Sequence, residues 1–123
     1  MNYNDLLDEY EVDVDFPDAS GIEHLDMLLT RSELAAIEQE LTPAQRQRLY
    51  QADQLLIEHA QPFYDAIRKI ASLEQWRRQH DAQITHWWWY LDVIAQMSKA
   101  FQVSVTPVYH YDSRRTSEMA RRG

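Results

Sequence analysis

Three tryptophans stand in a row in His86-Trp87-Trp88-Trp89-Tyr90-Leu91, near the middle of the longest helical pattern in the chain. On a helix, successive side chains point about 100° apart, so three in a row sweep roughly 200° of its circumference. An amphipathic helix buries a stripe only a little wider than about 100°. One indole must therefore leave the main stripe, either for a second buried contact or for a surface kept for a partner. The pattern predicts a last helix from Ser72 to about Ala100, with His80, Ile84, Trp87, Leu91, Ile94, Ser98 and Phe101 on its inner stripe. Trp88 and Ala95 flank that stripe. Trp89 and Val93 lie on the other side, to be covered by another element or left as an aromatic patch of the kind enriched at interaction hot spots. A break between Asp81 and Thr85 is an alternative, with Thr85 capping a fresh start at His86.

The rest of the chain supplies helices for that element to pack against. Only 2 glycines and 4 prolines in 123 residues argue against a loop-rich β fold. Ser20-Gly21-Ile22-Glu23 has the form of a capping box, and Thr30-Arg31-Ser32-Glu33 repeats it. These predict a short helix, a break near Thr30 and a second helix to about Glu40. Thr42-Pro43-Ala44-Gln45 is the clearest start signal, with threonine at the cap and proline at the first helical position. It opens a run carrying Leu49, Ala52, Leu56, Ala60, Phe63, Ile67 and Ile70 at spacings of three and four. Pro62 removes one backbone bond inside this run, which predicts a kink near His59.

Tyr10-Glu11-Val12-Asp13-Val14-Asp15-Phe16 alternates apolar and acidic residues, the period of a half-buried strand closed by Pro17. Its economical partner is Phe101–Val105, continuing past Pro107 to Tyr111; pairing with the sheet edge of another protein is the alternative. The expected fold is therefore mainly α: a small antiparallel bundle of about four helices with a two-stranded β element formed by the chain ends. The expected organisation is one domain over residues 1–123, with a flexible acidic N-terminus at 1–9, a folded part at 10–112 and a flexible basic tail at 113–123.

Charge bounds the partners. The formal net charge is −8, which disfavours nucleic acid and anionic membranes at the bulk surface. Residues 1–18 hold seven acids and no base, whereas residues 113–123 hold four arginines and one glutamate. No apolar run reaches the length of a membrane span and the first residues are acidic, so we expect neither a membrane span nor a secretory signal, and the absence of cysteine removes disulfides and thiolate chemistry. These features lead us to expect a cytoplasmic protein.

Catalytic patterns are thin. Two glycines cannot build a phosphate loop. A di-iron helical site needs glutamate three residues before histidine, and those positions hold Gly21, Leu56, Arg77, Gln83 and Pro107. His59, the adjacent pair His80-Asp81, and Asp92 or Asp112 follow the order His…His-Asp…Asp. That order resembles the ligand set of the HD superfamily of helical phosphohydrolases. The resemblance implies a divalent ion that activates water for attack on a phosphoester. The competing reading puts His80 on the apolar stripe, bonded to a backbone carbonyl.

The function expected is non-enzymatic, with no cofactor and no metal: an adaptor or regulatory subunit that binds another protein. Trp88, Trp89 and Val93 would anchor the partner. The ribbon Tyr10, Glu11, Val12, Asp13 and Asp15 would select it by charge, favouring a basic protein; a second copy of the chain would satisfy the same pattern. An antitoxin-like or nucleic-acid-mimicking inhibitor is the alternative, because carboxylates alternating along a strand sit about 6.6–7 Å apart, near the phosphate repeat of one DNA strand.

Overall fold

The computed structural model describes residues 3–97. Its helices are α1 (Tyr3–Val14), α2 (Gly21–Ala36), α3 (Pro43–Glu58), α4 (Ala60–Ile67) and α5 (Leu73–His80), and residues 91–97 form α6. Tight 3-10 turns cover Glu38–Glu40 and Trp87–Tyr90. The fold is mainly α, and no strand occurs among the described residues. Helix α2 is central: it packs against α1, α4 and the Trp87–Tyr90 turn, while α1 also lies on α3.

The strand expected at Tyr10–Phe16 is a correction. Residues 3–14 are helical, and residues 3–9, expected to be flexible, form its first turns. The alternation starting at Tyr10 is part of a longer pattern of helical spacing, in which Leu7, Tyr10 and Val14 are buried and Tyr3 and Leu6 pack beside them. Burying one complete stripe against α2 and α3 wins over the local period of two, which finds no strand to pair with among the described residues. The proposed partner strand at 101–111 lies outside the described residues, as do Asp112 and the basic segment 113–123.

Helix α2 begins as expected. The Ser20 hydroxyl accepts from the Glu23 N–H at 3.3 Å, and the Glu23 carboxylate accepts from the Ser20 N–H at 3.2 Å. Gly21 is required there by contact: a Cβ at this position would stand 2.5 Å from the Ala66 carbonyl oxygen of α4. The break near Thr30 does not occur. The Thr30 hydroxyl donates instead to Glu9 on α1 at 3.1 Å, and the helix continues through buried Arg31 and Leu34. A capping residue terminates a helix only where its side chain is free to bond its own backbone.

The Thr42–Gln45 box forms with both reciprocal bonds, and α3 stops at His59, where the chain turns before α4. That is the predicted kink. Leu49, Ala52, Leu56, Ala60, Phe63 and Ile67 are buried as expected, and Ile70 is exposed.

The unbroken last helix is the second correction; the break offered as the alternative, between Asp81 and Thr85, is what occurs, without a side-chain cap from Thr85. Ser72 caps α5 by accepting from the Gln75 N–H at 3.2 Å, but the helix ends at His80. Asp81 adopts the left-handed conformation at φ 50°, one that Asp tolerates better than most residues. Ile84 then stands exposed, and the tryptophans fall in a 3-10 turn instead of on a straight α-helix. At three residues per turn their side chains diverge still more widely, and the break lets the segment rotate two of them inward.

Candidate functional site

The two tryptophans expected to anchor a partner are sealed inside. Trp88 is 2% exposed and Trp89 5%. Both indole N–H groups donate to the Ser32 hydroxyl on α2, at 2.9 and 3.0 Å. The Arg31 guanidinium lies 4.2 Å from the Trp88 ring centre, and Trp76 stacks on Trp89 at 5.2 Å. Trp87, assigned to the inner stripe, is the one left partly open. Val93 is exposed, so no surface patch of Trp88, Trp89 and Val93 exists on this chain.

Helical geometry also scatters the acidic ribbon. Tyr10 is buried, and its hydroxyl donates to Asp53 at 2.6 Å. Burial, with Asp53 second, holds that phenol far above its ordinary pKa. Asp53 in turn accepts two bonds from Arg31, at 2.9 and 3.0 Å. Arg31 is 3% exposed, and its Nη1 has no hydrogen-bond partner among the described residues. Glu11, together with Asp8, clamps Arg48 at 2.7 and 2.6 Å. Asp15 borders the same hollow as Arg48.

Asp13 and Val12 remain, and they meet residues that the strand pattern could not place beside them. Glu9 is one helical turn before Asp13, and Glu23 and Asp26 approach from α2, close enough to act on its charge. Burial first, then these three carboxylates, push the Asp13 carboxyl up to about 6. No cation bridges to Glu9, Asp13, Glu23 or Asp26 among the described residues. Glu23 is itself lowered by the Ser20 backbone N–H it accepts from. Beside the carboxylates, a hollow of about 430 Å³ is lined by Val12, Asp13, Phe16, Asp18, Glu23 and His24. Val12 is 55% exposed and Phe16 59%. The floor is firm: the His24 ring bonds the Pro17 carbonyl at 3.0 Å and packs edge-on against Phe63, and burial lowers its pKa. The four-residue spacing of Glu9 and Asp13 was the available sequence signal for this face.

The HD-type constellation is not assembled among the described residues, which include Asp92 but not Asp112. Nδ1 of His59 bonds the Leu55 carbonyl and Nδ1 of His80 the Trp76 carbonyl, while both Asp92 oxygens accept from Arg77. No group of three or more potential ligands able to hold a metal ion occurs among the described residues. His80 is exposed, so the core placement expected for it fails as well.

No family model, curated protein or solved structure matches the chain. Among the described residues, no helix is long and apolar enough to cross a membrane.

Proposed function

We propose that the chain is a non-enzymatic protein-binding module, an adaptor or regulatory subunit, that takes a basic segment of a partner on the face shared by α1 and α2. The observation that carries this reading is Asp13. A half-buried carboxyl pushed up to about 6 by burial and three unneutralised neighbours is a charge arrangement that opposes the fold, and a cation placed there relieves it. Exposed Val12 and Phe16 beside it suit the methylene stem of a lysine or arginine whose charged head reaches the carboxylates. The phosphate-mimic alternative loses its basis, because it depended on strand spacing.

The test uses a lysine-rich peptide of about 20 residues as probe and measures affinity by calorimetry at two salt concentrations. Asp13→Asn with Glu9→Gln is compared with Glu58→Gln plus Glu74→Gln, a pair carrying the same change in net charge at exposed positions away from the face. The face variant is expected to bind about tenfold more weakly, a difference of about 1.4 kcal/mol. The distant variant is expected to change by less than about twofold, as screened exposed charges do. Equal losses in the two variants would reduce the effect to bulk charge and refute the proposed face.

A further inference from the structure

On another side of the molecule, between α2, α5 and the tryptophan turn, a cavity of about 420 Å³ is bordered by Leu29, Ser32, Trp76, His80, Asp81 and Trp89. Its size falls in the range of small-molecule pockets, about 300–1,000 Å³. We infer that this cavity binds a flat heteroaromatic ring bearing a carbonyl acceptor and an N–H donor: a free nucleobase or its nucleoside.

Three features of the lining lead there. First, the Ser32 oxygen accepts from both indoles, which occupies its two lone pairs. Its own proton finds no acceptor among the described residues, not even a carbonyl of its own helix, and it borders the cavity. A ligand carbonyl would complete it. Second, Nδ1 of His80 bonds the Trp76 carbonyl, which fixes the proton of the neutral ring on Nδ1 and leaves Nε2 as an acceptor. The Asp81 carboxylate is a second acceptor at the same border, so a ligand N–H has somewhere to go. Third, the aromatic rings are stacked but the stacks stop at water. Trp76 lies parallel to His80 at 4.0 Å and to Trp89 at 5.2 Å, and the outer member, His80, is exposed. His86, which also borders the cavity, is the exposed partner in a second stack on Trp88 at 4.8 Å. One more flat ring extends such a stack, the arrangement by which proteins hold bases. No lysine or arginine borders the cavity, and Asp81 does. A phosphate is therefore unwelcome, and the ligand is the base or nucleoside, not the nucleotide.

The experiment titrates the full chain with adenine, guanine, cytosine and uracil, with their nucleosides, and with one 5′-triphosphate. The readout is the four indole N–H signals of a ¹⁵N-labelled sample, alongside calorimetry. A ligand of about ten heavy atoms is expected at a Kd of about 0.1–1 mM, moving the Trp88 and Trp89 signals bonded to Ser32. Ser32→Ala is expected to weaken binding about tenfold; since it also removes the indole acceptor, two milder changes accompany it. Leu29→Trp, at an exposed lining position, should fill the cavity and abolish binding. Asp81→Gly suits the left-handed backbone and should weaken only ligands that present an N–H. Absence of saturable shifts with every base, or saturable binding that ignores both Leu29→Trp and Asp81→Gly, would overturn the inference. So would tighter binding of the triphosphate than of its nucleoside.

Discussion

Replacing Asp53 with alanine should cost more stability than any other single change at a polar residue. The carboxylate neutralises Arg31 through two bonds and accepts the Tyr10 hydroxyl. Arg31 is buried with one nitrogen already without a hydrogen-bond partner among the described residues, so it cannot turn to water when Asp53 is lost. Removing one member of a buried pair costs about 3–5 kcal/mol, because the other charge is left uncompensated. Domains of this size are stable by about 5–15 kcal/mol in total. At about 4 °C per kcal/mol, the melting temperature should fall by about 12–20 °C. Chemical denaturation followed by circular dichroism measures the loss, with an unchanged slope required for the comparison. The informative control is the triple change Arg31→Met, Asp53→Leu and Tyr10→Phe, which removes the buried triad together and leaves only the partly exposed Glu38, 3.8 Å from Arg31, behind. Apolar replacements of whole buried ionic groups are often neutral or better, so this variant should recover most of the loss. A single-variant loss below about 1 kcal/mol, or a triple variant no more stable than the single, would refute the assignment of the cost to an orphaned Arg31.

Other consequences can be measured on the same footing. Asp13→Asn should stabilise the free chain at pH 7.5 and do nothing at pH 4. The folded-state pKa of Asp13 is raised, so the group's favourable contribution exists only below its unfolded value near 4 and is lost as pH rises through about 6. The gain, discounted for solvent screening, should stay below about 1 kcal/mol; urea midpoints at the two pH values check it. Gly21→Ala should lower stability by about 1–3 kcal/mol, despite the better helix propensity of alanine, because the new methyl meets the Ala66 carbonyl; a thermal melt decides the sign. Tyr10→Phe should cost about 1.5–3 kcal/mol at neutral pH, for a lost bond to a charged acceptor. It should also flatten the fall in stability above about pH 10, since a phenol with a raised pKa stabilises the fold below its unfolded value and loses that contribution as alkali ionises it.

Much of the helix layout was legible because caps and prolines act locally. Ser20, Thr42, Ser72 and the turn at His59 sit where their side chains and backbone predict. Thr30 misled because its hydroxyl has a long-range partner, Glu9, which no local pattern reveals. Tyr10–Phe16 misled because a period of two within seven residues coincides with part of a helical stripe that begins at Tyr3. The tryptophan run was legible as a geometrical problem but not as a solution. One face of a continuous helix cannot hide three indoles; the break weighed as the alternative occurs at Asp81, and with it that limit no longer applies. The candidate face on α1 and α2 followed only in part, since Asp13 and Val12 were visible as candidates while Glu9, Glu23 and Asp26 join them only once the strand becomes a helix.

The ties from Arg31 and Ser32 reach Tyr10, Asp53, Trp88 and Trp89, yet the two residues are neighbours on one helix. Inserting or deleting a single residue between Ser20 and Arg31 would swing both side chains by about 100° and break every one of those ties together. The stretch from Gln83 to Thr85, between Ala82 (bonded by Tyr90) and His86 (stacked on Trp88), has no such double constraint among the described residues. Length variation in a lineage of this chain should therefore gather there, and the first half of α2 should keep a fixed count of residues.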